Sequence, residues 1–313
     1  MQLSDRIGRR IKLSDLHVLL TVVQAGSMNK AARLLNTTQP AVSRSIGTLE
    51  QTIGVRLLDR RPQGIEPTDY GRAVLDGGAA VFDDLRQTLK SIEFLTDPTA
   101  GSVRIGCSPL LAASFVSSVI DKVSRQYPRI AFDLVSAPVE TVHRDLSERR
   151  LDFLITRKVG PVGDARLSFE VLFDDSLVVV AGARHPLARR RKVARRELAG
   201  QLWVLPPPGL VLGSTIADAF RALGLVHGGG NVTTVSPEVR MSLLATGRFL
   251  TIFPASALRF PAGRSELKVL PVALPIVSVP NGIVTLKNRT LSPVAQLVIG
   301  IAREVAKPLK KGT

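Results

Sequence analysis

The sequence predicts an α+β multidomain chain: a small helical module with a two-stranded wing, one long helix, and a two-lobed α/β domain. Three observations predict it. Apolar residues recur at helical spacing from Leu16 to Ile92. Short β-rich runs alternate with helical stretches from Val103 onward. Between the two patterns, Asp97-Pro98-Thr99-Ala100-Gly101-Ser102 has the composition of a linker. The length of 313 residues exceeds one ordinary domain, and 45% hydrophobic residues suffice for sizeable cores.

Ser14 is a candidate cap for a first helix, whose Leu16, Leu19, Leu20 and Val23 fall at i, i+3, i+4 and i+7. Gly26 ends it, and Ser27 opens a second helix with the small and apolar residues Ala31, Ala32, Leu34 and Leu35. After a short turn at Asn36-Thr37, Thr37 or Thr38 caps a third helix that tolerates Pro40 in its first turn. Val42, Ile46, Leu49 and Ile53 form its apolar stripe, and Gly54 closes it. On the opposite face Gln39 and Ser43 lie one turn apart, as do Pro40 and Arg44, with Ala41 and Gly47 nearby. Small residues let a helix sit deep in a major groove, where Gln, Ser and Arg reach base edges and phosphates. That pattern describes a helix-turn-helix, although a helical hairpin with a solvated face has the same geometry.

Asp59-Arg60-Arg61-Pro62-Gln63-Gly64 reads as the turn of a short wing ahead of Ile65 and Pro67, with Arg60 and Arg61 in reach of phosphates. The candidate DNA contacts are therefore Ser27, Thr38, Gln39, Pro40, Ser43, Arg44, Arg60 and Arg61, in a module spanning 1–68. Thr68 caps a long helix over 69–96. Leu75, Phe82 and Leu89 repeat there every seven residues, flanked by Val81, Leu85 and Ile92. A heptad stripe on a lone helix seeks a second helix, in another copy or in the same chain, and the former makes this a dimerisation helix.

The net charge of +16 favours a polyanionic partner, nucleic acid or an acidic membrane surface. The charge is not concentrated in the helical module, since residues 1–70 hold ten Lys and Arg against six Asp and Glu. Much of the excess sits at Arg184, Arg189, Arg190, Arg191, Lys192, Arg195 and Arg196. No apolar run is long enough for a membrane span, and Met1–Lys12 lacks the apolar centre of a secretory signal, so a soluble cytoplasmic protein is expected. Cys107 is the only cysteine, which excludes an internal disulfide and a cysteine-rich metal site.

At this point the sequence resembles the LysR-type transcriptional regulators. The resemblance runs through Ala25-Gly26-Ser27, Ala31-Ala32-Arg33-Leu34-Leu35, Thr38-Gln39-Pro40-Ala41-Val42-Ser43-Arg44-Ser45-Ile46, Leu49-Glu50, Gly54-Val55-Arg56-Leu57-Leu58-Asp59-Arg60 and Thr68-Asp69-Tyr70-Gly71. Leu58 departs from the family's usual phenylalanine, apolar for apolar. Looser matches continue at Leu151-Asp152-Phe153-Leu154-Ile155, His185-Pro186-Leu187, Leu244-Ala245-Thr246-Gly247 and Ile252-Phe253-Pro254. The resemblance implies a winged helix-turn-helix, a linker helix, and an effector domain similar to type 2 periplasmic binding proteins. It also implies a homodimer or homotetramer, a promoter operator in double-stranded DNA, and contact with RNA polymerase.

The residues themselves agree with such an effector domain over 97–313. Strand runs at Val103–Cys107, Ala131–Val135, Asp152–Thr156, Leu177–Ala181, Leu202–Leu205, Val232–Val235, Phe249–Phe253 and Gly282–Leu286 alternate with helices, predicting a mostly parallel sheet. We expect lobe I at about 101–173 and 281–313 and lobe II at about 174–280, the chain crossing near Phe173 and returning near Pro280. Ligands of open α/β sheets bind beyond the strands' carboxyl ends, at helix N-termini. Ser108-Pro109-Leu110, Ser136, Thr156-Arg157, Pro208 and Ser236 fall there, and the resemblance assigns the positions of Ser108 and Ser136 to the effector pocket. Helix capping alone also explains such serines, and Arg157 also fits a solvated surface. The expected effector is a small polar metabolite, a carboxylate or a sugar.

An enzyme is not expected, nor a metal or cofactor. His17, His143, His185 and His227 are scattered without metal-ligand spacing, and no histidine is clearly placed to activate Cys107. Gly228-Gly229-Gly230 lacks the lysine of a phosphate loop.

Overall fold

The computed structural model describes residues 10–61, 64–158, 165–225, 232–259, 266–272, 274 and 278–310, and among these no helix is long and apolar enough to cross a membrane. The chain divides into two compact units, Met1–Thr88 and Leu89–Thr313.

The first unit is built on three helices: α1 (Leu13–Ala25), α2 (Met28–Leu34) and α3 (Gln39–Ile53). Their apolar stripes meet in one core of Leu19, Val22, Met28, Ala31, Ala32, Val42, Ile46 and Leu49, as helical spacing demands, and Leu57 and Leu58 beyond α3 join it. Gly26 and Gly54 end α1 and α3 in left-handed backbone (φ 66° and 92°), where a side chain costs energy and glycine does not. Ser14 does not cap α1. The helix starts two residues earlier than that cap would place it, at Leu13 with Lys12 before it, so Ser14 sits inside the first turn. Strands β1 (Leu58–Arg61) and β2 (Gly64–Pro67) pair antiparallel as the wing. Thr68 then caps α4 (Asp69–Thr96), its hydroxyl accepting from Gly71 N at 3.0 Å.

The heptad reading of α4 needs correction. Leu75 packs against the three-helix core and Phe82 lies 5.7 Å from the His17 ring, so both belong to their own chain. The exposed apolar row is Val81, Leu85, Leu89, Ile92 and Leu95, spaced by three and four and hence on one face. A seven-residue repeat is equally consistent with either face; packing of Phe82 on α1 decides which.

The second unit continues with β3 (Ala100–Cys107), α5 (Pro109–Leu111), a π-helical turn (Ala112–Val116), α6 (Ser117–Gln126), β4 (Arg129–Ser136), α7 (Val139–Ser147) and β5 (Phe153–Arg157). There follow β6 (Leu167–Gly182), a 3₁₀ turn (Pro186–Arg189), α8 (Arg195–Leu198), β7 (Leu202–Leu205), α9 (Val211–Ala222), β8 (Val232–Thr233), α10 (Pro237–Ala245), β9 (Phe249–Pro254), α11 (Ser256–Arg259), β10 (Leu267–Val269), β11 (Ser278–Leu286) and α12 (Pro293–Lys310). The segment beginning at Asp97 is shorter than a linker through Ser102, because β3 already starts at Ala100.

The strands form one path, β4-β3-β5-β11-β6-β9-β7-β8, with β10 beside β6. The sheet is mixed rather than mostly parallel. Pairs β3/β4, β3/β5, β7/β8 and β7/β9 are parallel; β11 with β5 and β6, and β6 with β9 and β10, are antiparallel. Two long strands account for this. β6 pairs with β11 as far as Ser176 and with β9 from Leu177, so it threads both halves of the sheet. Separate cores lie on the two halves: one around Phe115, Phe153, Phe173 and Val298, the other around Trp203, Phe220, Leu250 and Ile252. Asp175 marks the passage. Its carboxylate accepts from Ser256 N at 3.0 Å, from the Ser256 hydroxyl, and from Asn281 Nδ2 at 3.4 Å, tying β6 to α11 and β11.

Candidate functional site

The polar face of α3 is outward. Gln39, Pro40, Arg44 and Thr48 are exposed and Ser43 is half-buried, while Val42, Ile46 and Leu49 on the opposite side are at most 1% exposed. Ser45 donates to Asp15 Oδ1 at 2.6 Å and so pins α3 to α1. Ser27 and Thr38 precede α2 and α3 in extended backbone, and neither side chain caps its helix. Arg60 and Arg61 end β1; their side chains lie outside the described residues.

In the second unit, strand ends from both halves of the sheet converge on one cavity of about 410 Å³. Ser108, Ser136 and Arg157 follow or end β3, β4 and β5; Pro206, Ser236 and Pro254 stand at the ends of β7, β8 and β9. This is the carboxyl-end crevice where open α/β sheets take ligands. Apolar walls come from Pro109, Leu110, Val139, Leu210, Val235 and Ala257.

The serines differ in what they do. Ser236 caps α10, accepting from Val239 N at 3.1 Å, and donates to Glu238 Oε2 at 2.6 Å, so its hydroxyl is committed to the helix. Ser108 stands before α5 in the cap position yet makes no cap bond, and the Ser136 side chain on the rim is likewise unengaged. Two expected residues lie elsewhere. Thr156 is fully buried but does not line the cavity, because consecutive strand residues alternate faces and Arg157 takes the inward one. Pro208 is exposed. The chain turns there into α9, so that Pro206 and Leu210 on either side form the wall. Gly213 in the first turn of α9 has no room for a Cβ, which would stand 1.7 Å from the Pro207 carbonyl oxygen.

Arg157 is not a solvated surface residue. It is 8% exposed, and burial lowers its pKa against the opposing pull of Asp175. A second arginine, absent from the sequence reading, joins it. Arg240 on α10 is 2% exposed and stacks its guanidinium 4.5 Å from the Phe253 ring centroid. Burial first, and then the charge of Arg157, push it down to about 10; Glu238 opposes them. A single arginine in a short helix without a marked apolar face reads as a surface charge, so no local signal in the sequence marks it.

Cys107 ends β3 just before Ser108 but points into the core, and burial pushes its thiol up to about 12. A thiol so raised is protonated at neutral pH and a poor nucleophile. Native protein is expected to resist alkylation by iodoacetamide at pH 8 and to take up one label on unfolding; mass spectrometry showing rapid native labelling contradicts the buried placement.

Residues 13–72 match the bacterial regulatory helix-turn-helix proteins of the lysR family, and residues 96–307 match the LysR substrate binding domain. The chain is 26% identical over 295 residues to the HTH-type transcriptional regulator GbpR of Azospirillum brasilense, covering 94% of this chain and 86% of GbpR. It is 30% identical over 301 residues to YfeR of Shigella flexneri, an uncharacterized HTH-type transcriptional regulator, covering 96% of each. In structure it is similar to full-length CbnR complexed with its target DNA, with a TM-score of 0.63 at 16% identity over 94% of this chain and all of that one. With both modules matched in order across nearly the whole length, the chain belongs to the LysR family of DNA-binding transcriptional regulators and carries that family's effector-binding domain.

Proposed function

We propose that the outward face of α3 reads the major groove of a promoter operator, and that a small-molecule effector in the cavity modulates that binding. The exposed row of Gln39, Pro40 and Arg44, backed by the buried Val42, Ile46 and Leu49, carries this reading. Gln39, Ser43 and Arg44 supply the donors and acceptors that base edges require; Pro40 lets the helix start flush against the duplex. Ser27, Thr38, Arg60 and Arg61 are assigned to the phosphates, which set register and affinity. CbnR in its solved complex sits on its own target DNA, a precedent for this fold.

In this reading, residues 1–68 are the DNA-binding module and 69–96 the dimerisation helix. Residues 97–313 form the sensing domain, with lobes at about 101–173 plus 281–313 and about 174–280. The exposed row from Val81 to Leu95 is the surface on which a second copy packs. Ser108, Pro109, Leu110, Ser136, Arg157 and Ser236 face the effector. Ligand closing the lobes shifts the spacing of paired DNA-binding modules and their contact with RNA polymerase. Such a device needs binding energy and no bond chemistry, so we infer a non-enzymatic protein that works in the cytoplasm beside its promoter.

Arg44→Ala tests the groove assignment. Loss of a base contact is expected to weaken operator binding by about 1–3 kcal/mol. Fluorescence anisotropy on the fragment upstream of the chain's own gene measures it. Unchanged affinity and unchanged sequence preference together remove Arg44 from the interface.

A further inference from the structure

The cavity holds a charge problem that its protein neighbours do not solve. Arg157 Nη1 and Arg240 Nε and Nη1 are buried and have no hydrogen-bond partner among the described residues. Neither side chain makes an ion pair among the described residues. Uncompensated buried guanidinium groups are costly, and natural proteins keep them where a partner is to arrive. Two guanidiniums line one cavity with unpartnered donors, and each guanidinium is a planar fork suited to a carboxylate.

The carboxylates around the cavity limit the ligand's valence. Asp175, buried and held by Ser256 and Asn281, pulls on Arg157, and the exposed Glu238 pulls on Arg240, yet neither forms an ion pair with its arginine among the described residues. The two carboxylates at the cavity, Glu140 and Glu238, are exposed on its rim and repel a second acidic group. Five serines also line the cavity, but the hydroxyls of Ser114, Ser236 and Ser256 already donate to Leu110 O, Glu238 and Asp175. The remaining lining is mostly proline, leucine, valine and alanine, which suits an apolar body better than a ring of hydroxyls. Resting on the effector cavity proposed above, we infer that its ligand is a small organic acid with one carboxylate. That group bridges Arg157 and Arg240, and an aliphatic or aromatic body fills the space between the lobes. Ser108, with its hydroxyl unused, completes the carboxylate's donors. This narrows the expected polar metabolite to an amphipathic monoacid and disfavours a sugar.

Full-length protein is titrated with hexanoate and phenylacetate, each paired with its neutral amide and with succinate as the diacid, and melting temperature is followed. The monoacids are expected to raise it in the wild type, the amides and succinate far less. In Arg240→Met, the monoacids' affinity is expected to fall about a hundredfold. The ligand-free Arg240→Met protein is expected to melt no lower than wild type, since it loses an unpaired buried cation, whereas a purely structural arginine would melt lower. Arg240→Lys keeps the charge without the fork and should recover part of the affinity. Amides that bind as well as acids, or acids that bind nowhere at millimolar concentration, overturn the proposal. If neutral compounds bind and Ser108→Leu removes that binding, the effector cavity stands and only the acid assignment falls. Binding of every compound unaffected by Ser108→Leu removes the cavity assignment itself.

Discussion

Ser108→Leu is expected to abolish every ligand-induced thermal shift while operator affinity stays at the wild-type value. Ser108 stands where β3 ends and α5 begins, on the cavity wall. Its hydroxyl caps nothing, so the folded state loses no hydrogen bond with it. A leucine there projects its branched end into a space of about 410 Å³ and removes one donor from the ligand's polar end. Both changes act against the ligand, and both lie in the second unit. A metabolite panel run on wild type and variant in parallel checks it. Retention of a wild-type shift by the variant places the ligand elsewhere.

The largest loss of stability is expected at Asp152. Its fully buried carboxylate accepts from Arg104 N at 2.8 Å and Lys90 Nζ at 3.2 Å, and faces Arg289 Nη2 at 3.5 Å. Arg289, itself buried, donates onward to the carbonyls of Leu151 and Asp152. The cluster fastens α4, β3 and β5 to the segment ahead of α12. Asp152→Ala leaves the Arg289 cation without its counter-charge, at a cost of about 3–5 kcal/mol. For a unit of this size that lowers the melting temperature by roughly 10 °C. Asp152→Asn keeps an acceptor for Arg104 N and should lose less. Urea melts of the three proteins give the comparison, and an alanine variant as stable as wild type would show that the ion cluster contributes nothing net.

How much of this was legible beforehand depended on whether a signal was local. The stripe Val42-Ile46-Leu49 and its polar opposite face follow from helical period alone, and α3 appears as expected. Ser108-Pro109 is equally local: a strand end, a polar residue, a proline that can only start a helix. Strand β6 was half missed, because Glu170, Asp174 and Asp175 interrupt its apolar run before Leu177. Their acceptance into a strand depends on partners far away in sequence, Arg303 for Glu170 and Ser256 for Asp175. The mixed character of the sheet has the same origin, since β6 runs antiparallel to β11 in one half and to β9 in the other. Arg240 was invisible for a like reason. Its neighbours Glu238 and Ser242 are exposed, and only the placement of α10 against Phe253 buries the guanidinium. Of the apolar positions expected on α4, Val81, Leu85, Leu89 and Ile92 lie in the exposed row, while Leu75 and Phe82 turn inward, because Phe82 finds its contact at His17, sixty-five positions earlier in the chain.

The most direct test of a division between a groove-reading face and a ligand cavity is DNase I footprinting upstream of the chain's own gene. Wild type, Arg44→Ala and Ser108→Leu are compared on that DNA with and without a metabolite panel. The account predicts protection by wild type that a ligand alters, weakened protection by Arg44→Ala, and full but unresponsive protection by Ser108→Leu. Equal loss of protection in both variants, or no protection by wild type even at low salt, contradicts it.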